Sequence, residues 1–372
     1  MKTNCSRPSS AQTGFTLVEI MVGLTIGMLA TLVIVQVMSA FEGQKRTTTG
    51  TADAQTNGSI ALYNISRELQ MAGYSLIPVA NSALECSTLT VNGVADPGNP
   101  NPMRLSPVII TDGVSDIVQI RYGNTLSGGV PNTIAAVPTT FVGVTGIDLD
   151  NNLGCNSSDA TLILSGTTCA FSSASAVPAD GALASGIASA TQRTITLNNN
   201  AGAVKGANLA CLGRWSEITY RVNAGNLERQ NLADSVDFIP IVAGIVNLQA
   251  QYGISAAANS NQIIQWVDAT GGTWATANLT LANRNRIKAV RIAVVARNSK
   301  IDSMGTTSAC SDLSGANPNG LCAWDATSAN PLIASVAPAI DLTADPEWSR
   351  YRYRVFETII PLRNVIWSRS TL

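Results

Sequence analysis

The chain has 372 residues, 45% of them hydrophobic and 13% charged, with a net charge of −1 and no histidine. That length can bury a sizeable core, while a near-neutral balance with scattered Lys and Arg excludes the clustered basic face of a nucleic-acid surface. The missing histidine excludes a Ser-His-Asp triad and any His-ligated metal hydrolase.

Residues 1–14 are short and polar, with Lys2 and Arg7 as positive charges. An apolar run then extends from Phe15 to about Phe41, carrying one charge, Glu19. About 20 apolar residues cross the ~30 Å hydrocarbon core as a helix. The run therefore reads as a transmembrane segment, its basic flank cytoplasmic and its following residues outside. Gly23 and Gly27, four apart, would let another helix approach. A carboxylate at that depth costs a few kcal/mol unless paired. A cut between Gly14 and Phe15 would create an α-amine one helical turn from Glu19 and supply its counter-charge. An ordinary secretory signal has its small-residue cleavage site after the apolar core, not before it.

The stretch Gly14-Phe15-Thr16-Leu17-Val18-Glu19-Ile20 resembles the class III leader junction of type IV prepilins and of type II secretion pseudopilins. The resemblance implies cleavage after Gly14 by a prepilin peptidase and N-methylation of Phe15. It also implies an assembly contact between Glu19 and a neighbouring subunit's N-terminus.

Beyond the membrane run, Leu62, Ile65, Leu69, Ala72 and Leu76 recur at three- and four-residue steps, which predicts one apolar helix face. Gly43, Gly50 and Gly58 are expected to allow bending, and Gly73 and Pro78 to end the helix. From Phe15 to Gly73 such a helix would measure on the order of 90 Å. Ala52-Asp53-Ala54-Gln55 and Ala61-Leu62-Tyr63-Asn64-Ile65-Ser66-Arg67-Glu68-Leu69-Gln70-Met71-Ala72-Gly73-Tyr74 are similar to the PilW branch of minor pilins.

After Pro78 the pattern turns to β. Residues 117–122, 161–164, 193–197, 218–222, 245–252, 287–295 and 353–360 are short and rich in branched or aromatic side chains, as strands are. Asn223-Ala224-Gly225-Asn226 supplies a hairpin turn. Val290 to Arg297 and Tyr353 to Asn364 resemble strands shared by PilW-type minor pilins and J-type pseudopilins. Much of the middle, roughly residues 80 to 210, carries no such resemblance. The expected fold is α+β and type IV pilin-like. A long N-terminal helix, transmembrane half plus spine, packs on an antiparallel β-rich head with long disulfide-stapled loops. The expected organisation is a leader at 1–14, a transmembrane half at 15–41, a soluble helical half at 42–74 and a head at 75–372.

Cys5 would leave with the leader, and Cys86, Cys155, Cys169, Cys211, Cys310 and Cys322 form an even set in an oxidising compartment. Short loops favour Cys155 with Cys169 and Cys310 with Cys322, leaving Cys86 with Cys211. A zinc site has no C-x-x-C pair and no histidine to use. Long loops are expected at 96–102, 172–191 and 303–346, where a specific ligand or plain solvated decoration would lie.

Asp148, Asp150, Asn152 and Asp159 resemble a partial EF-hand calcium loop. Leu153 stands where that loop needs glycine and Asp159 where it needs a bidentate Glu, so a polar turn before Cys155 competes with this reading. The six tryptophans, Trp215, Trp266, Trp274, Trp324, Trp348 and Trp367, read mostly as core or loop anchors, and Arg350, Arg352 and Arg354 as one solvated strand face. P-loop, G-x-S-x-G and H-E-x-x-H motifs are absent, so neither an enzyme nor a cofactor is expected.

The resemblance thus implies an inner-membrane minor pilin with its head in the periplasm that joins the priming or tip complex of a type IV pilus. Its implied partners are the prepilin peptidase, the major pilin, other minor pilins and a large tip adhesin, with no nucleic acid. The implied processes are twitching motility, adhesion and DNA uptake, and the final location is the filament or tip at the cell surface. Two other readings stand beside it: a minor pseudopilin of type II secretion, and a tip adhesin binding a surface ligand. The head is larger than a J-type pseudopilin carries, and the K-type tip pseudopilin lacks the glutamate, which favours the pilus.

Overall fold

The computed structural model describes residues 14–76, 86–97, 103–137, 146–152, 154–177, 193–302, 304–312, 315–317, 319–324 and 339–367. Contacts divide the chain into two compact units, Met1–Ala52 and Asp53–Leu372. One helix, Leu17–Met71, begins in the first unit and ends in the second. Gly43, Gly50 and Gly58, expected to allow bending, lie inside that helix and do not interrupt it.

In the second unit the helix buries Ala54, Ala61, Ile65 and Leu69, with Ala72 buried just past its end; of the face read from the sequence, Leu62 is only half-buried and Leu76 lies beyond the helix in a separate cluster. The helix stops because Gly73 takes a φ of +76°, the left-handed conformation that commonly terminates helices. The Gly73 N–H then donates to the Arg121 carbonyl oxygen at 2.9 Å, tying the helix end to a strand.

That buried face packs on two antiparallel sheets in one core. The first has five strands in the order Ile239–Ala243, Asn226–Asn231, Ser216–Asn223, Ile117–Tyr122, Val108–Thr111. The second has four, in the order Ile263–Val267, Ile245–Ser255, Ile287–Arg297, Tyr353–Pro361. All seven stretches expected to be strands are strands. The 223–226 turn closes a hairpin in which Asn223 faces Asn226, with positive φ at both Ala224 and Gly225, the geometry that matches strand twist in a two-residue turn.

The middle of the chain holds what its sequence did not reveal. The strands Thr168–Ala176, Ala160–Ser165, Asn208–Gly213, Pro131–Ala136, Gly146–Leu149 and Arg193–Leu197 pair in that order. The last pairs back onto the first through Ala174 and Leu197, so the six antiparallel strands close into a barrel. Alternate residues point inward, among them Ile134, Ile147, Leu149, Ile163, Ile195, Leu197 and Leu209, and fill the barrel. Closure leaves no free edge along those strands. The barrel is inserted between two neighbours of the five-stranded sheet: Ile117–Tyr122 leads into it, Ser216–Asn223 leads out, and Tyr122 and Ser216 face each other in register.

The loops expected at 172–191 and 303–346 need correction. Ser172 to Ala176 continue the strand Thr168–Ala176, because alternation of Ala and Ser in a barrel wall needs no bulky side chains; residues 178–192 lie outside the described residues. Within 303–346 two ribbons form, Cys310–Asp312 with Gly315–Asn317 and Gly320–Cys322 with Ala339–Asp341. Most of 96–102 lies outside the described residues.

The disulfides are Cys86–Cys169, Cys155–Cys211 and Cys310–Cys322. The short-loop expectation holds for the third and fails for the other two. The reason is strand alternation. Cys169 belongs to the cluster on the barrel's outer face with Leu162 and Leu164, whereas Cys155 and Cys211 belong to the interior cluster. Cys155 and Cys169 therefore sit on opposite sides of one wall. The strand Thr88–Val91 runs parallel to Thr168–Ala176 with Leu89 beside Cys169, which brings Cys86 within reach.

Gly58 is needed where helix meets sheet: a Cβ there would overlap the Phe356 ring. Gly58→Leu is expected to lower stability by about 2–3 kcal/mol, since overpacking outweighs the roughly 1 kcal/mol that removing a helical glycine returns. Urea unfolding reads it, and Phe356→Ala in the same chain should recover most of the loss.

Candidate functional site: the leader junction

Gly14, Phe15 and Thr16 are non-helical, and the helix begins at Leu17. Thr16 caps it. The Glu19 backbone N–H donates to the Thr16 Oγ1 at 3.3 Å, while Glu19 Oε2 accepts from the Thr16 backbone N–H and Oγ1, both at 3.1 Å. This reciprocal capping box satisfies N–H groups that a helix start leaves without partners. Glu19 thus has a partner in its own chain, a role not assigned from sequence although Thr16-x-x-Glu19 carries the signature. The helix N-terminus also favours the negative charge.

Gly14 meets nothing: a Cβ on it would have no atom within 4 Å. Phe15 is 84% exposed. The helix that follows has a mean hydropathy of 2.3 over its most apolar 18 residues, long and apolar enough to cross a membrane. Its hydroxyls are turned inward onto the helix. Thr25 Oγ1 donates to the Val22 carbonyl at 2.9 Å, Thr31 Oγ1 to Met28 at 2.8 Å and Ser39 Oγ to Gln36 at 2.9 Å. These three hydroxyls are thereby satisfied without water.

In the second unit, the helix carries a polar lock as well as an apolar face. The Tyr122 hydroxyl donates to Glu68 Oε2 at 2.5 Å, and Arg229 Nη2 lies 3.2 Å from Glu68 Oε1. The Tyr220 hydroxyl donates to the Asn64 carbonyl at 3.5 Å. Burial, reinforced by the Glu68 charge, pushes the Tyr220 hydroxyl up to about 12 and raises that of Tyr122 as well. Both tyrosines stay protonated and serve as donors at neutral pH.

The calcium candidate does not assemble. Asp148 accepts from Thr194 Oγ1 at 2.5 Å in a barrel strand, and Asp159 Oδ2 accepts from the Asn156 backbone N–H at 2.7 Å. Burial pushes the Asp159 carboxyl upward, against those Asn156 donors. The Cys155 N–H donates to the Asn152 carbonyl at 3.1 Å, so Asn152 opens a turn that ends on the disulfide. Asp150 is exposed, and no group of three His, Cys, Asp or Glu poised for a metal exists among the described residues.

Trp266 and Trp324 flank the Arg291 guanidinium at 5.1 and 4.3 Å, and Trp274 lies 5.3 Å from that of Arg286, as packing anchors do. The side chain of Trp367 lies outside the described residues. Arg350 and Arg352 precede the strand Tyr353–Pro361 rather than alternating along it. They bind the Asp302 carbonyl and carboxylate, each at 2.8 Å.

Residues 219–364 match the family model of type IV pilus-assembly protein W, and residues 9–35 match the prokaryotic N-terminal methylation motif. These two matches support a type IV pilus minor pilin of the PilW family. Comparisons with curated proteins and with solved structures give no match. The match to the methylation motif brackets the capped helix start, and it implies processing by a prepilin peptidase and assembly with other pilins. One N-terminal apolar helix and that motif fit anchoring in the inner membrane followed by pilus assembly. The PilW match covers the four-stranded sheet and, in the five-stranded one, the chain from Thr219 onward, whereas Val108–Thr111, Ile117–Tyr122 and the barrel at 131–213 lie outside both matches.

Proposed function

We propose that this minor pilin is cut after Gly14, N-methylated on Phe15 and built into the priming or tip complex that starts a type IV pilus. The observation that carries the reading is the methylation-motif match over residues 9–35, set on a junction whose scissile bond lies in non-helical, exposed chain ahead of a capped helix. Residues 1–14 act as leader, 15–41 hold the subunit in the inner membrane, 42–74 form the spine and 75–372 the periplasmic head. Extraction delivers the subunit to the filament or tip, beside the major pilin, other minor pilins and a large tip adhesin. Twitching motility, adhesion and DNA uptake follow from piliation. The role is structural: the helix packs, Glu19 contacts a neighbour's N-terminus, and no bond is made or broken by the head.

Deleting the chain tests the system. Loss of surface pili with intact exoprotein secretion is expected; lost secretion with normal pili would instead assign a type II secretion pseudopilin. The PilW match favours the first outcome.

Glu19 tests the contact. Glu19→Gln keeps the capping geometry, since Gln serves at that position too, and removes only the charge. Normal processing with about a ten-fold loss of incorporation into sheared pili is expected, the scale of one partly buried charge pair, about 1–2 kcal/mol. Wild-type incorporation would reduce Glu19 to a helix cap.

A further inference from the structure

We propose that the head binds an acidic saccharide, of the uronic acid type, in a pocket where the barrel's outer face meets the start of the strand Ser216–Asn223. The cavity measures about 330 Å³, at the small end of ligand pockets and suited to a sugar residue rather than a long chain. Its lining combines Phe171 and Trp215, in edge-to-face contact with ring centroids 5.3 Å apart, with Arg104, Arg214, Asn92 and Ser158. Aromatic faces take the C–H face of a sugar ring, and amide, hydroxyl and guanidinium groups take its hydroxyls.

Three further observations point to a ligand. The Trp215 Nε1 is buried and has no hydrogen-bond partner among the described residues; such a donor costs about 1–3 kcal/mol until an acceptor reaches it. Two of the five non-glycine residues with positive φ among the described residues, Asn92 at 48° and Ser158 at 73°, line this one pocket. For Asn92 this is ordinary hairpin geometry, since with Gly93 at 82° it forms the two-residue turn between paired Val91 and Val94; the strained backbone is that of Ser158, and strain of that kind concentrates at binding sites. The lining also holds two cations and no carboxylate.

The charge selects an acid. Among the described residues the ion-pair contacts of Arg104 are long, 3.8 Å to Asp96 and 3.9 Å to Glu217, and Glu217 is already held by Arg121 at 2.7 Å. Of the two carboxylates near Arg104, Asp96 stands at the far limit of an ion pair and Glu217 belongs to another arginine, so a sugar carboxylate would offer it closer geometry. Arg214 pairs with Asp234 at the exposed rim. A single-stranded nucleic acid would use the same residue types, but it needs a basic groove tracking several phosphates. Almost all the lining lies outside residues 219–364, so the pocket belongs to the part of the chain that the family model does not cover. The proposal stands independently of the assembly reading.

The test uses the full chain in a detergent without a sugar headgroup, titrated with sodium glucuronate and with glucose by saturation-transfer NMR. Saturable glucuronate binding is expected, about five-fold tighter than glucose. Arg104→Gln should erase that preference while keeping glucose binding, and Trp215→Phe should weaken both by about ten-fold, the scale of one lost hydrogen bond to a buried donor. Thermal melting of both variants checks that they fold; should Trp215→Phe fail to do so, Arg104→Gln alone decides. Absence of saturable binding, unchanged affinities in the variants, or tighter binding of a thymidylate oligonucleotide than of glucuronate would each overturn the proposal.

Discussion

A Gly14→Leu chain is expected to fold, enter the membrane and remain at its full, uncut mass. The fold has no use for glycine at this position: φ there is not in the left-handed region, and a Cβ would meet nothing within 4 Å. Replacing it therefore leaves the helix, its Thr16–Glu19 cap and the head untouched. Any requirement for glycine must come from the enzyme that cuts beside it. An isobutyl group forced into a site shaped for a hydrogen atom costs about 3 kcal/mol, which is roughly a 100-fold slower cleavage. Gel mobility and N-terminal sequencing read the result, with wild-type chain starting at N-methylated Phe15. Normal cleavage of Gly14→Leu would remove the assigned role of Gly14, and a wild-type chain still carrying Met1 would remove the whole leader assignment.

The same glycine shows why the two ends of the chain were legible and the middle was not. At the N-terminus the signals are dense and local: an apolar run of membrane length, one acid, one small residue. The helix in the head could be read because Ile65, Leu69 and Ala72 repeat with helical period, and Gly73 sits where a left-handed residue ends it. The core strands Ile245–Ser255 and Ile287–Arg297 were legible because both are rich in branched residues over eleven positions. The barrel was not, because its wall alternates small residues: Thr168–Ala176 reads TCAFSSASA, a sequence that looks like a loop until closure supplies its partners. Closure joins Ala174 to Leu197, and loop length alone says nothing of such a contact. Gly58 was misread for a related reason. Its requirement comes from Phe356, almost 300 residues away.

Removing the Cys86–Cys169 disulfide, by Cys86→Ala with Cys169→Ala, is expected to lower stability by about 4 kcal/mol. Removing Cys155–Cys211 should cost a similar amount, and Cys310–Cys322 about 3 kcal/mol. The order follows from the closed loops, which span 83, 56 and 12 residues, since a longer loop leaves the unfolded chain more entropy to regain. Urea unfolding of the oxidised variants measures it. The location of each bond sharpens the test. Cys155 and Cys211 belong to the barrel's interior cluster, and Cys86 and Cys169 to the cluster on its outer face. In Cys155→Ser the thiol set free must therefore be that of Cys211, while Cys169 stays blocked by Cys86. Alkylation followed by peptide mapping distinguishes the two. A label on Cys169 would place Cys155 and Cys169 on one face of the wall, break the inside–outside alternation of the strands around them, and so refute the barrel itself.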